Sequence, residues 1–376
     1  MHIETCSFRE EEGWSAPFPD LDSPRTLVLA FAASAYADRP APFRELARAF
    51  PEATILGCST AGEILDAQVT DESLAVAVVR FAEGRVAAAS APIADAADSH
   101  LAGRRIAHEL SGPDLRGILV LSKGTQVNGT ALAAGISQAV GSGVVVTGGL
   151  AGDGTRFQRT FVLDAGRPCP DRVVAAGIYG ENMVIGHGYG GGWDIFGPER
   201  LVTRSAGSIL YELDGRPALA LYREYLGDLA DGLPATGLLF PLSITPGGPG
   251  DCSLVRTILA VDEATQSLVF AGDIPQGWRA RLMQSNPDRL VDGAEEAAAA
   301  ATRPAPAPSL AIAVSCVGRR LVLGERTEEE VEATLAALPP GTRQVGFYSY
   351  GELAPAESGE CDLHNQTMTL TTLSEV

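Results

Sequence analysis

The sequence predicts an α/β fold with α+β character: two domains of mixed β-sheets flanked by helices. Three observations predict it. The first third alternates short apolar runs with amphipathic segments, the signature of parallel crossover units. The middle is strand-rich with little helix between, which places antiparallel strands beside parallel ones. And 376 residues are too many for one ordinary core.

Along the chain, "RTLVLAFAA" (25–33) is too short an apolar run for a helix and ends at "SAYADRPAP", so it reads as a buried strand. In "PFRELARAF" (42–50), Phe43, Leu46, Ala47 and Phe50 recur at helical spacing, and Pro42 suits a first turn. "ATILGCST" (53–60) returns as a strand. "SLAVAVVRF" (73–81) and "RVAAASAPI" (85–93) flank Glu83-Gly84 and predict a β-hairpin. "SHLAGRRIAHEL" (99–110) and "GTALAAGISQAV" (129–140) are helices, each followed by a strand, "GILVLSKG" (117–124) and "GVVVTGG" (143–149). "QRTFVLDAG", "VVAAGIYG" and "NMVIGHGYGG" then read as strands.

The character changes near "DGRP" (214–217), which opens the helix "ALALYREYLG" (218–227). "TGLLFPLSI", "LVRTILAVD" and "SLVFAGDIP" read as strands, and "DRLVDGAEEAAAAATR" (288–303) as a helix closed by "PAPAP". "SLAIAVSCVG" (309–318) is a strand, and "TEEEVEATLAAL" (327–338) a helix with Thr327 as N-cap and Glu330 as its reciprocal partner. "RQVGFYSYGEL" (343–353) alternates like a strand, and so does the tail, where Thr367, Thr369 and Thr371 alternate with Met368, Leu370 and Thr372. No internal repeat of fixed period is evident.

A formal net charge of -19 excludes sequence-independent binding to nucleic acid, because phosphate repels an acidic surface. No apolar run reaches the length of a membrane span, so none is expected. "MHIETCSFREEEGW" lacks a basic region followed by an apolar one, and the six cysteines show no C-x-x-C spacing. A cytoplasmic protein with reduced thiols and no structural zinc is the expectation.

"GHGYGG" (186–191) matches G-x-G-x-x-G, but Gly197 and Pro198 stand where the phosphate-binding helix would run, so dinucleotide binding is not expected. That cluster and "GGLAGDG" (148–154) point instead to tight turns or close backbone approach to a small ligand. "LGCSTAG" (56–62) approaches a nucleophile elbow, with Ser59 after a strand and His364 downstream, but Ala61 replaces the last glycine. Cys58 has no evident base. Among the five histidines, His100 and His108 fall on a helix and read as solvent-facing. His187 sits in a glycine-rich turn beside Tyr189 and Trp193, a setting for a planar ligand, and His364 leads into Asn365 and Gln366. One imidazole is enough for an axial haem ligand.

"LAIAVSCVGRRLVLG" (310–324), "QVGFYSYGEL" (344–353) and "LHNQTMTL" (363–370) resemble the C-terminal half of the FIST family. "LVLAFAA", "FPEATILGCSTAGEI" (50–64) and "GGLAGD" (148–153) look like its N-terminal half, and residues 192–227 are similar to the junction. The resemblance implies a FIST N-terminal domain at 25–215 and a FIST C-terminal domain at 216–373. It implies a bacterial intracellular sensory module, not an enzyme, that binds a small molecule such as an amino acid. Its signal would pass to a separate partner such as a histidine kinase. A haem-binding subgroup senses nitric oxide, which makes His187 or His364 the candidate axial ligand, with Tyr189 and Trp193 beside it. For the polar-ligand reading the candidates are Ser59, Thr60, Asp153, Tyr350, Glu352, His364 and Asn365, between the two halves. A hydrolase using Ser59 and His364 is the remote alternative.

Overall fold

In the computed structural model, all residues are described except 142, 249–252, 304–308 and 357. Cys252 and "PAPAP" therefore lie outside the described residues. The mixed sheets flanked by helices are present, but three of them follow one plan. Each begins with an edge strand: His2–Arg9 (bordered only by the two-residue strand Gly13–Trp14), Arg85–Pro92 or Met183–Gly190. A lead strand follows: Thr26–Ala33, Leu115–Ser122 or Leu310–Cys316. Helical segments cross over to a partner strand parallel to it, Thr54–Thr60, Val145–Leu150 or Arg343–Ser349. A return strand, Ser73–Arg80, Arg172–Tyr179 or Met368–Glu375, then pairs antiparallel between lead and edge strands.

Between partner and return strands every unit makes a short hairpin, and every hairpin leaves its own sheet. That of the first unit, Glu63–Leu65 with Gln68–Thr70, pairs onto the partner strand of the third. The second unit's, Val162–Asp164 with Arg167–Cys169, pairs onto the first, and the third unit's, Gly351–Pro355 with Cys361–His364, onto the second. The exchange is cyclic, and the three sheets form the sides of a prism. Its interior holds Leu29, Phe31, Leu121, Ile312 and Phe347 from all three sheets, with Phe31 and Phe347 stacked at 4.7 Å. The lead strands are continuous apolar runs because both faces are buried, inward by this core and outward by helices.

The repeat escapes a periodicity search because its units share few residues. What they share is glycine at the fourth position of each partner strand. A Cβ on Gly57, Gly148 or Gly346 would stand 2.1, 1.8 or 1.9 Å from the carbonyl oxygen of Ala30, Val120 or Ala313 on the lead strand. In the third unit, residues 193–285 interrupt the plan with an eight-stranded sheet of their own and the helix Ala218–Leu226.

Several sequence expectations need correction. Residues 73–93 are not a hairpin: the two strands belong to different sheets, and the Glu375 carboxylate accepts from the N–H groups of Ala82, Glu83 and Gly84 where the chain crosses, each at 2.7 Å. Residues 343–353 divide at Tyr350 into strands of two sheets. "TGLLFPLSI" is a 3-10 turn, Ala235–Leu239, before the strand Leu242–Thr245, with Pro241 between. "LVRTILAVD" breaks at Thr257. Thr327 does not cap its helix, since its hydroxyl donates to the Gly324 carbonyl and Glu330 is buried against Arg319.

Nor is "GHGYGG" a turn that cradles a ligand. It lies in the edge strand Met183–Gly190, with Gly186, Gly188 and Gly190 toward the helix Pro287–Ala301. A Cβ at these positions would stand 1.8, 2.1 and 1.8 Å from the carbonyl oxygens of Ala301, Ala297 and Gly293. The glycines let the helix backbone rest directly on the sheet, and the helix answers with Ala294, Ala297, Ala298 and Ala301. Among the described residues, no helix is long and apolar enough to cross a membrane.

Candidate functional site

The first unit's lead and partner strands end at one mouth of the prism, where the second unit's loop 153–159 folds across them. This leaves a cleft of about 510 Å³, lined by Ser34, Thr60, Glu63, Asp71, Asp153 and Arg156 among others. Glu63 forms its floor, 1% exposed. One carboxylate oxygen accepts from the Thr60 hydroxyl, and the other from the Ser73 N–H at 3.0 Å and the Ser73 hydroxyl at 2.7 Å. Burial pushes the Glu63 pKa up to about 7 despite these donors.

Asp153, also 1% exposed, anchors the covering loop. It accepts from the N–H groups of Gln158 at 3.0 Å and Arg159 at 2.8 Å, and from the Tyr350 hydroxyl. The Tyr350 ring stacks on Phe157 at 4.3 Å. At the rim, Arg156 donates to Ser34 at 2.9 Å, Arg159 binds Asp38 at 2.7 Å, and Arg320 binds Asp71 at 2.6 Å. Residues of the first two units thus line the opening, and the third unit is tied to it by Arg320 on Asp71. The guanidinium of Arg320 holds the Asp71 carboxyl below its ordinary range.

Glu63 has a counterpart. "GCSTAGE" (57–63) and "GFYSYGE" (346–352) occupy the same place in the first and third units. In the second copy the Ser349 hydroxyl donates to Glu352 at 2.6 Å, and Thr367 donates through its N–H at 3.3 Å and its hydroxyl at 3.0 Å. The cradle is the same: a hydroxyl three residues back and a hydroxyl-bearing residue beside the return strand. Burial pushes Glu352 up to about 8. The second unit reads "GGLAGDG", with its acid, Asp153, one residue earlier. This pair of heptapeptides is the signal by which the sequence announces both the repeat and Glu63, which attention to Ser59 passes over.

A carboxyl with a raised folded pKa keeps its proton where the unfolded chain has lost it. Its contribution makes stability fall as pH rises from the ordinary carboxylate range to about 7 for Glu63 and about 8 for Glu352. The double variant Glu63→Gln, Glu352→Gln is therefore expected to gain on the parent between pH 5 and 8.5, by at least ~1 kcal/mol per acid. Urea midpoints across that range check this, and parallel pH profiles would contradict it.

The other candidate residues divide. Ser59 is fully buried and its Oγ accepts from the Phe161 N–H at 3.0 Å, tying the partner strand to the hairpin that docks on it. His364 donates through Nε2–H to the Ala354 carbonyl at 3.1 Å, so Ser59 and His364 form no catalytic pair. Burial pushes the Cys58 thiol well up, away from nucleophilic use. His364, Asn365, Tyr189 and Trp193 line a second cavity of about 250 Å³. The His364 ring packs on Tyr189 at 4.3 Å, and burial pushes its pKa down to about 4.

This second region is chiefly a seam. Asn365 accepts from the Thr257 N–H at 3.3 Å, Gln366 donates to the Leu238 carbonyl at 2.9 Å, and Trp193 donates to the Gln366 carbonyl at 2.8 Å. Arg256, fully buried, donates to the Leu363 carbonyl at 3.0 Å. The His-Asn-Gln triplet therefore clamps the inserted sheet to the prism. The haem expectation does not fit these residues: about 250 Å³ is too small to enclose a porphyrin. His187 lies on a strand, lines neither cavity, and has its Nδ1 buried among protein atoms.

The family model described as FIST N domain matches residues 26–216, and that described as FIST C domain matches 218–355. No curated protein matches the chain. Among solved structures, a cyanuric acid hydrolase from A. caulinodans aligns over 99% of this chain and 98% of its own, at 10% identity and a TM-score of 0.35. PurLQS from Thermotoga maritima aligns over 84% of this chain and 74% of its own, at 11% identity and a TM-score of 0.23. Both scores are too low to carry an argument about this chain.

Proposed function

The chain belongs to the FIST family of small-ligand sensing modules in signalling, and on that premise we propose that the cleft over Glu63 is its sensing site. The carrying observation is that groups of opposite charge from the first and second units face one opening, with the third unit tied to its rim through Arg320 and Asp71. Such a site suits a small zwitterion, an amino acid above all. The ligand carboxylate meets the Arg156 guanidinium at the rim, and its ammonium meets Glu63 and the Thr60 hydroxyl at the floor. Since Glu63 must give up its proton to pair with an ammonium, affinity rises as pH passes through about 7.

A separate signalling protein, such as a histidine kinase, reads the occupied state. The rim ties that a ligand would rearrange, Arg159–Asp38 and Arg320–Asp71, are partly or largely exposed and join different units, so they are weak enough to change and visible from outside. A cytoplasmic setting accords with five free thiols among the described residues.

Thermal unfolding in the presence of each proteinogenic amino acid tests the reading. At least one is expected to raise the melting temperature, since ligand at 100 times its Kd adds about 2.7 kcal/mol. Glu63→Gln and Arg156→Ala are each expected to abolish the rise. No rise for any amino acid, or a rise that survives both substitutions, overturns the proposal.

A further inference from the structure

We propose that the groove between the crossover helix Ala41–Ala49 and the turn of the second unit's hairpin binds a small molecule carrying two or more phosphate groups. The inference stands apart from the sensing cleft. Arg44 and Arg48 lie one helical turn apart, and Arg167 opens the second hairpin strand. All three arginines line a groove of about 600 Å³. The turn before Arg167 holds Ala165 at φ 49° and Gly166 at φ 72°, and a Cβ on Gly166 would sit 3.4 Å from the Ala47 Cβ. The hairpin is thus seated on the helix, and the spacing between the arginines is set by packed backbone.

Charge makes the groove unusual. The chain carries 47 acidic and 28 basic residues, so an arginine has carboxylates in surplus. Nearby Arg39, Arg159 and Arg172 each pair with one. Arg44, Arg48 and Arg167 pair with none among the described residues, and no carboxylate lines the groove. The guanidinium fork matches phosphate oxygens in bidentate geometry. Three such groups match the charge of a pyrophosphate, while Ala37, Pro40 and Pro168 offer apolar wall to the remainder of an organic ligand. The volume falls in the range of small-molecule sites, roughly 300–1,000 Å³. The protein's overall acidity does not oppose this, because charges beyond about 8 Å are screened at physiological salt.

Calorimetric titration of the full chain with inorganic pyrophosphate tests the proposal. One equivalent is expected to bind, with affinity falling as salt is raised. Arg44→Gln, Arg48→Gln and Arg167→Gln are each expected to weaken it roughly tenfold or more, and the triple variant to abolish it. Arg104→Gln, an exposed arginine on another helix, leaves binding unchanged, and circular dichroism confirms that every variant is folded. Absence of binding at millimolar pyrophosphate overturns the proposal, and so does binding that survives in the triple variant. A glutamate-rich peptide that binds where pyrophosphate does not also overturns it, in favour of an acidic protein segment.

Discussion

Arg319→Ala is expected to destabilise the protein by roughly 3–5 kcal/mol, the range for removing one partner of a buried ion pair. Arg319 and Glu330 are both 0% exposed and meet at 2.9 Å. Arg319 also donates to the Leu290 carbonyl at 2.6 Å and to the Gly191 carbonyl. Glu330 accepts from the Tyr348 hydroxyl at 2.6 Å and from Ser315 at 3.0 Å. One guanidinium thus joins two helices, the third sheet and the start of the inserted segment. Its loss leaves Glu330 buried and short of a donor, and takes a donor from the Leu290 and Gly191 carbonyls. Urea unfolding checks the magnitude. The double variant Arg319→Met, Glu330→Leu recovers much of the loss, since it buries no charge. Arg326→Ala breaks only exposed pairs with Asp288 and Glu329 and changes little. If Arg319→Ala and Arg326→Ala are equally mild, the buried network does not hold the third unit.

Gly190→Ala is the second large effect, expected to cost roughly 1–3 kcal/mol or more. The added methyl would enter the space of the Gly293 carbonyl, so the helix Pro287–Ala301 must lift from the sheet. Gly191→Ala, one residue on, meets no atom within 4 Å and is expected to remain near parental stability. Two neighbouring glycines given the same substitution therefore separate packing from composition. Equal melting temperatures for the two variants would show that helix contact is not what position 190 demands.

Much of the architecture is legible in the sequence where a residue's role is local. The lead strands announce themselves, because a run such as "LAIAVSC" tolerates apolar side chains on both faces only inside a covered sheet. The helices at 99–110 and 129–140 are read at their observed bounds. Failures come where a distant group decides. Glu83-Gly84 is a plausible hairpin turn until Glu375 takes its N–H groups, and Thr327 with Glu330 is a plausible capping box until Arg319 claims the carboxylate. At the cleft, Thr60 and Asp153 are among the residues the sequence singles out. Glu63 is not, although it lies in the same stretch, because its meaning depends on the second cradle at Glu352. His364 and Asn365 draw attention as polar groups in an apolar tail, and only the inserted sheet shows what they hold.

The cyclic exchange of hairpins has a consequence for how the molecule is made. During synthesis, Glu63–Leu65 emerges long before the strand it pairs with, through Glu63 opposite Phe347. No unit completes its sheet from its own residues, so a nascent chain halted after the second unit exposes an unpaired strand edge. Such long-range pairing slows folding and leaves the waiting edge open to other chains. The first sheet can take its hairpin from the second unit as soon as that unit is made, but the ring closes only with the third unit, which supplies the second sheet's missing hairpin and the strand on which the first unit's hairpin docks.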